Sequence, residues 1–330
     1  MSNYQLLDIP TDEIECIADL PINQNCQTYS FHYAPYYTKC YRQRAVAIAN
    51  WVATTDPIAV IVDVSAEISQ YLRFLGVPVI AVRQHGDRSD FPHLCGYSAA
   101  YRLLAPFPRL LEAADTPNWI IDKTIYSPGF SRYSGINLDK QTARQRLDIE
   151  ATQKVVVVLN GSGGGKHSLS KISAAAAATP QWLWLVIGAI KRDYHLLPDN
   201  ISVLGWRKNT YIYLQAADVV IAHGGHNTVM EIGTAQKPFL CIPESRPFDE
   251  QKVKAEILEN LGLCFSADAF PDANAIGFIL DKLTQLDVSK WQPIMATDGA
   301  ERTAKAIADL LRNLVTLNST QFSKTIERDI

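Results

Sequence analysis

At 330 residues the chain has the length of two ordinary domains, each able to bury its own core. A hydrophobic share of 47% and a charged share of 20% fit a folded globular protein and not a disordered one. The net charge of -3, without a dense Lys/Arg block, gives no electrostatic basis for nucleic-acid binding, and no run approaches the roughly 18 apolar residues of a membrane span.

The six cysteines, at 16, 26, 40, 95, 241 and 264, lack paired metal-ligand spacing. They read as reduced packing residues in a chain too long to need a disulfide framework. The N-terminus MSNYQLLDIPTDEIECIADL carries acids and no continuous apolar core, unlike a signal peptide. A cytoplasmic location is expected, with peripheral contact to the inner face of the membrane or with a partner subunit left open.

Residues 1–35 give no periodic signal. Tyr41, Ala45, Ile48, Ala49 and Val52 recur at helical spacing and predict a helix over residues 38–52. Two apolar runs, IAVIV (58–62) and VPVIAV (77–82), read as strands, and the stripe of Ile68, Leu72 and Leu75 between them reads as a helix ended by Gly76. Near-continuous apolar strands joined this way imply a parallel sheet covered on both faces. Strand-like segments follow at 102–105 and around 119–121. The segment YSPGFSRYSG (126–135), rich in Ser, Gly, Tyr and Pro, reads as a linker.

A second series starts with VVVVLN and GSGGGKH, then a helix through KISAAAAAT, strands WLWLVIG (182–188) and ISVLGW (201–206), and a helix around TYIYLQAAD. It continues through residues 218–251, where Val219–Ile221 reads as a strand, HGG as a turn, the next stretch as a helix, and 239–242 as another strand. Asn227 and Thr228 are the expected helix caps. Ala304, Ile307, Leu310, Leu311 and Leu314 predict an amphipathic helix over 300–317. This alternation argues for an α/β protein with two doubly wound, Rossmann-like parallel-sheet domains. The expected division is a first domain over 1–130, a second over 131–310, and a helical tail over 311–330.

Ligands bind outside the carboxyl ends of the strands in such sheets. The polar clusters fall there: residues 63–67 and 83–88 in the first series, and 160–167, 223–228 and 244–251 in the second. Five such loops imply one cleft between two sheets. The loop LNGSGGGKHS fails as a P-loop, since Asn160 replaces the first glycine and His167 the magnesium-binding Ser or Thr. Gly161, Ser162, Gly163 and Gly164 still offer backbone N–H groups to a diphosphate, or make a plain tight turn. His223-Gly224-Gly225 with Asn227 and Thr228 opens a helix, where free N–H groups and the positive dipole end attract an anion. His223 and His226 are three apart, yet the intervening glycines and the lack of a third ligand argue against a metal.

The pattern ADVVIAHGGHNTVMEIGTAQKPFLCIP followed by RPFDEQ resembles the C-terminal domain of family 28 glycosyltransferases. These are two-domain GT-B enzymes that include the bacterial N-acetylglucosaminyltransferase of the lipid-linked peptidoglycan precursor. The resemblance implies a metal-independent hexosyltransferase with a UDP-type sugar as substrate, no cofactor, and inversion. It implies that Glu231 bonds the ribose hydroxyls, that Glu250 and Gln251 meet the donor sugar, and that the loop at Gly205, Trp206 and Arg207 reads the base. His223 is implied as a donor near phosphate. Read alone, Glu231 is also a carboxylate favourably placed early in a helix.

Transfer further needs a base for the acceptor hydroxyl. Asp63, Glu67, His85 and Asp87 are the candidates, His85 and Asp63 foremost, because a histidine titrates in the useful range. The usual opening strand and glycine loop of the family are not seen in MSNYQLLDIPTDEIE. The first domain is therefore expected to lack its first β-α unit, and two rival readings stay open. One is a nucleotide-sugar 2-epimerase, the other a non-catalytic sugar-nucleotide-binding subunit.

Overall fold

The computed structural model describes residues 5–10, 29–161, 167–190 and 196–326, with side chains up to 316. It contains two parallel sheets. The first, in spatial order β1-β2-β3-β4, comprises Val60–Asp63, Val79–Val82, Arg102–Ala105 and Thr124–Tyr126. Helices α1 (Lys39–Thr55), α2 (Ala66–Phe74), α3 (Phe91–Ala99) and α4 (Asn118–Lys123) intervene. Ser65 caps α2 and Asp90 caps α3, each side chain accepting from an N–H in the first turn, which anchors both helix starts close to the strand ends.

The second sheet, β7-β6-β5-β8-β9-β10, uses Ile201–Gly205, Trp182–Gly188, Lys154–Asn160, Val219–Ala222, Phe239–Cys241 and Phe265–Ser266. Its order is the 3-2-1-4-5-6 arrangement of a doubly wound dinucleotide fold, and the direction of winding reverses between β5 and β8. Strand β5 shows why both faces need cover. Val155, Val157 and Leu159 enter one core and Val156 and Val158 the other, as the twofold alternation of a strand requires. Helices α5 (Lys140–Arg146), α6 (Leu169–Ala178), α7 (Tyr211–Ala216), α8 (His226–Ala235), α9 (Glu250–Asn260) and α10 (Ile276–Leu283) complete the layers.

Three expectations differ from the structure. Residues 119–121, expected as strand, lie in α4, which starts directly after Pro117. Proline presets the dihedral for a helical turn, and the strand of this unit follows as β4. Helix α8 begins at His226 with Gly225 at its cap position, so Asn227 and Thr228 lie inside the first turn and cap nothing. The last helix, expected over 300–317, runs Gly299–Ile326 as α11, because no glycine or proline follows within that stretch to end it.

The domains are joined where two segments of chain cross between them. Gly129 donates its N–H to Ile294 O (2.8 Å) and accepts from Ala296 N (2.7 Å), and Ser127 Oγ meets Thr303 Oγ1 of α11 at 2.7 Å. The terminal helix thus returns to the linker. Phe107 and Leu111 from the first domain pack into the core of the second, so the junction is apolar at its centre. At its edge, Asp87 N donates to Phe248 O (2.7 Å).

Gly86 makes that approach possible. It has φ +110°, and a Cβ there would lie 2.4 Å from Phe248 O. Gly76 also has positive φ, yet a Cβ on it would meet nothing within 4 Å. Gly86→Ala is therefore expected to destabilise the protein by about 1–3 kcal/mol, clearly more than Gly76→Ala. Urea denaturation of the two variants checks this, and equal losses would show that the contact with Phe248 carries no weight.

Candidate functional site

The site is built at the point where the second sheet reverses its winding. Strand β5 ends at Asn160, strand β8 at Ala222, and the chain after β8 turns through His223-Gly224-Gly225 into α8. The N–H groups of His226, Asn227 and Thr228 open that helix and have no intrahelical acceptor. Beside them a crevice of about 340 Å³ is lined by Gly161, Arg132, Arg207, Asn227, Thr228 and Glu231, among others. Five residues expected to meet a donor, Gly161, Arg207, Asn227, Thr228 and Glu231, thus share one space. Ser162, Gly163 and Gly164 lie outside the described residues.

Glu231 is the focus of the crevice. It is buried, accepts a hydrogen bond from Thr210 Oγ1 (3.1 Å), and pairs with Arg132 Nε at 3.0 Å. Burial raises its pKa above the ordinary carboxylate value, and Arg132 and Thr210 offset part of that rise. A carboxylate accepts about four hydrogen bonds, so two positions remain for a pair of hydroxyls. Helix α8 places Glu231 in its second turn, on the side facing the linker that carries Arg132. Trp206 and Arg207, beyond Gly205 with its φ of +68°, are exposed at the rim.

Behind the glycine turn a polar cluster joins the ends of β5, β8 and β9. His223 Nδ1 donates to Ile242 O (2.8 Å), its ring stacks on His167 with centroids 4.0 Å apart, and its Nε2 lies 3.5 Å from Glu244 Oε1. Burial, followed by the neighbouring His223, pulls His167 down to about 3. Asn160 Nδ2, His167 Nε2, His223 Nε2 and Glu244 Oε1 are buried without a hydrogen-bond partner among the described residues. Buried polar atoms are normally satisfied, so the cluster is suited to polar company. Nothing in the sequence beyond the position of Glu244 after β9 pointed to that residue.

Gln251 and Glu250 lie on the far side of the turn. Gln251 Oε1 accepts from both Gly224 N and Glu244 N at 3.0 Å. Its carbonyl therefore clamps two loops together, and only its Nε2 faces further work, 3.4 Å from Glu244 Oε2. One consequence is that Gly224 N is already spent and does not join the anion-facing N–H set. Glu250 pairs with Lys254 at 3.3 Å.

The two foremost base candidates fall elsewhere. His85, expected in a cleft-facing loop, is buried in the domain junction, its Nε2 donating to Leu111 O (2.9 Å) and its ring packed on Phe107. Burial, then the charge of Lys254, holds its pKa well below the usual histidine value. The expectation of an accessible imidazole thus meets an apolar junction formed by distant segments. Asp63 is exposed at the carboxyl end of the edge strand β1 and lines neither the crevice nor the small pocket beside residues 83–89.

Among the described residues His32, Asp90 and His93 bring three metal-capable atoms within 4.8 Å. Arg88 Nη1 lies 2.8 Å from His93 Nε2, and a guanidinium only donates. His93 Nε2 therefore accepts and its Nδ1–H is given to Asp90, which leaves His93 no lone pair for a cation. Phe248 packs against both histidines and under the Arg88 guanidinium. The cluster is a contact between domains. His223 and His226 share no such grouping with a third ligand among the described residues.

Residues 188–292, which hold the turn, α8, Glu231 and Gln251, match the sequence profile of the glycosyltransferase family 28 C-terminal domain. This stretch is similar to a family 28 C-terminal domain. An uncharacterized glycosyltransferase of Methanosarcina mazei is 28% identical over 226 residues, 61% of this chain and 59% of the relative. An N-acetylglucosamine transferase of Acetivibrio thermocellus acting on pyrophosphoryl-undecaprenol is 24% identical over 58% of this chain and 57% of its own length. The chain thus spans less than two thirds of the curated relatives it matches. Among solved structures, the glycotransferase of kitacinnamycin gives a TM-score of 0.62 at 17% identity, covering 82% of this chain and 81% of that one. MurG of Acinetobacter baumannii gives 0.57 at 16%, covering 82% and 77%. The chain therefore has a GT-B fold. No helix among the described residues is long and apolar enough to cross a membrane.

Proposed function

We propose that the protein is a glycosyltransferase that takes a hexosyl group from a UDP-type nucleotide sugar and passes it, with inversion, to an acceptor hydroxyl. The observation that carries this reading is Glu231, a buried carboxylate with two open acceptor positions. It stands one helical turn from the free N–H groups of α8, at the reversal point of the sheet. That spacing suits a ribose followed by a diphosphate. The diphosphate lies on the N–H groups of residues 226–228 and beside Gly161, where a helix start stabilises the negative charge that develops as the glycosidic bond breaks. Arg207 and Trp206 border the base, and Glu250 with the Gln251 Nε2 faces the sugar. His85 serves the junction and Asp63 lies outside the crevice, so neither is proposed as the base.

The test is thermal unfolding with a panel of nucleotide sugars, since a ligand bound only by the native state raises the melting temperature. UDP-sugars are expected to raise it by several degrees, more than their dTDP counterparts. The stabilising donor is then followed for release of UDP with and without candidate acceptors. No stabilisation by any nucleotide sugar would falsify the reading. Loss of donor without acceptor would favour an epimerase or hydrolase instead.

A further inference from the structure

The glycine turn rests on a buried cation that the nucleotide-sugar reading leaves unused. Lys254 lies on α9, its side chain 2% exposed. Its Nζ donates to Gly224 O at 3.2 Å and lies 3.3 Å from Glu250 Oε1. Gln251, Lys254, Ala255 and Leu258 are the buried residues of α9, the i, i+3, i+4, i+7 stripe that faces the core. A lysine in that stripe is rarely tolerated unless it is paired. Glu250, 22% exposed, is its carboxylate partner at 3.3 Å.

The charge of this ammonium bears on three elements. Gly224 belongs to the turn that precedes the anion-facing N–H groups. His226 is the first residue of α8, and after burial Lys254 is the charge that pulls it down to about 4. His85 comes from the first domain, and Lys254 is again the leading charge on it. Burial first, and Lys254 second, hold both imidazoles below the usual histidine value. The ammonium is the end of the Lys254–Glu250 pair that is bonded to the turn, while its carboxylate partner is the more exposed end. The ammonium is placed to attract an anion across the turn.

Resting on the reading of this crevice as a nucleotide-sugar site, we infer that Lys254 is a charge-supplying residue that makes the turn bind nucleoside diphosphates in preference to uncharged nucleosides. Its field acts through the low-dielectric turn and adds to the helix start, where water would otherwise screen it. The Gly224 carbonyl keeps the ammonium centred under the turn, and Glu250 tethers it from the solvent side.

The experiment compares UDP and uridine binding by calorimetry for the full chain and for Lys254→Met and Lys254→Arg. For Lys254→Met, UDP affinity is expected to fall about tenfold or more, as for one charge-assisted contact, while uridine affinity stays within about twofold. Lys254→Arg, which keeps the charge, is expected to recover most of the loss. In the wild-type chain the UDP affinity is expected to fall with added salt, and in Lys254→Met that salt dependence shrinks. Equal losses for UDP and uridine, or an unchanged ratio, would show a packing role and overturn the inference. Should Lys254→Met fold poorly, the UDP-to-uridine ratio of Lys254→Gln decides in the same way. A wild-type chain that binds neither ligand would defeat the underlying donor-site reading, a result distinct from an unchanged ratio.

Discussion

Replacing Glu231 with alanine is expected to weaken UDP binding by about thirtyfold or more while leaving the fold nearly as stable. Two ribose hydroxyls donating to an ionised carboxylate are worth roughly 1.5–3 kcal/mol each, and partial replacement by water reduces the observed loss. The structural consequences are small. Thr210 Oγ1 keeps its bond to Tyr133 OH (2.9 Å), and Arg132, 59% exposed, is released to solvent. The substitution also removes a carboxylate whose burial is unfavourable to its charge. Calorimetry with UDP and 2′-deoxy-UDP separates the roles: the wild type should prefer the ribose form, and the preference should vanish in Glu231→Ala. Affinity within twofold of wild type would sink the ribose assignment. A pH dependence follows with a definite sign. Only the ionised carboxylate accepts both hydroxyls, and its pKa lies above the usual 4.5. UDP affinity should therefore be full near neutrality and decline on acidification before ordinary carboxylates protonate.

Much of this architecture could be read from the chain because its signals are local. WLWLVIG occupies Trp182–Gly188 as β6, VVVVLN falls within β5, and the glycine turn sits at the strand end where the ligand rule puts it. Residues 119–121 misled because apolar side chains in a short run cannot distinguish strand from helix, and Pro117 decided the matter. The site was legible in kind and less so in detail. Glu231 and Asn227 follow from position in a βαβ unit, whereas the fate of Gln251 depends on Gly224 and Glu244, brought to its carbonyl by the tertiary fold. His85 is the sharpest case. Its loop is polar in sequence, RQHGDR, yet Phe107 and Leu111 bury the ring, and no spacing in the chain announces that packing. Lys254 could have been found, since a lysine on the apolar stripe of an amphipathic helix is itself a signal.

The largest stability effect is expected from Arg83, in the same loop as His85. Its guanidinium grips Glu112 with two bonds, Nη1 to Oε2 at 2.8 Å and Nη2 to Oε1 at 3.0 Å, with both side chains more than nine-tenths buried. Tyr126 OH and Thr116 Oγ1 also donate to that carboxylate. Burial alone would raise the Glu112 pKa, but the bonds from Arg83 and Tyr126 outweigh it and hold the group below its ordinary value. Arg83→Ala leaves a buried carboxylate with two hydroxyls and no cation, which costs about 3–5 kcal/mol, a large part of a typical domain's 5–15 kcal/mol. Urea denaturation at pH 7 should show it. The sign of the pH effect separates this cause from a simple cavity. In the wild type, the depressed pKa contributes stability that is present above the unfolded value near 4.5 and is lost as pH falls through the lower folded value. In Arg83→Ala the unpaired carboxylate titrates above its unfolded value, so acidification relieves the strain and the gap between the two proteins narrows from pH 7 to pH 4. A gap that stays constant with pH would point to lost packing. Arg83→Met combined with Glu112→Leu, which removes both charges, should recover most of the loss. Because the pair lies in the first domain, UDP affinity in the folded Arg83→Ala variant should remain close to wild type, in contrast with Glu231→Ala.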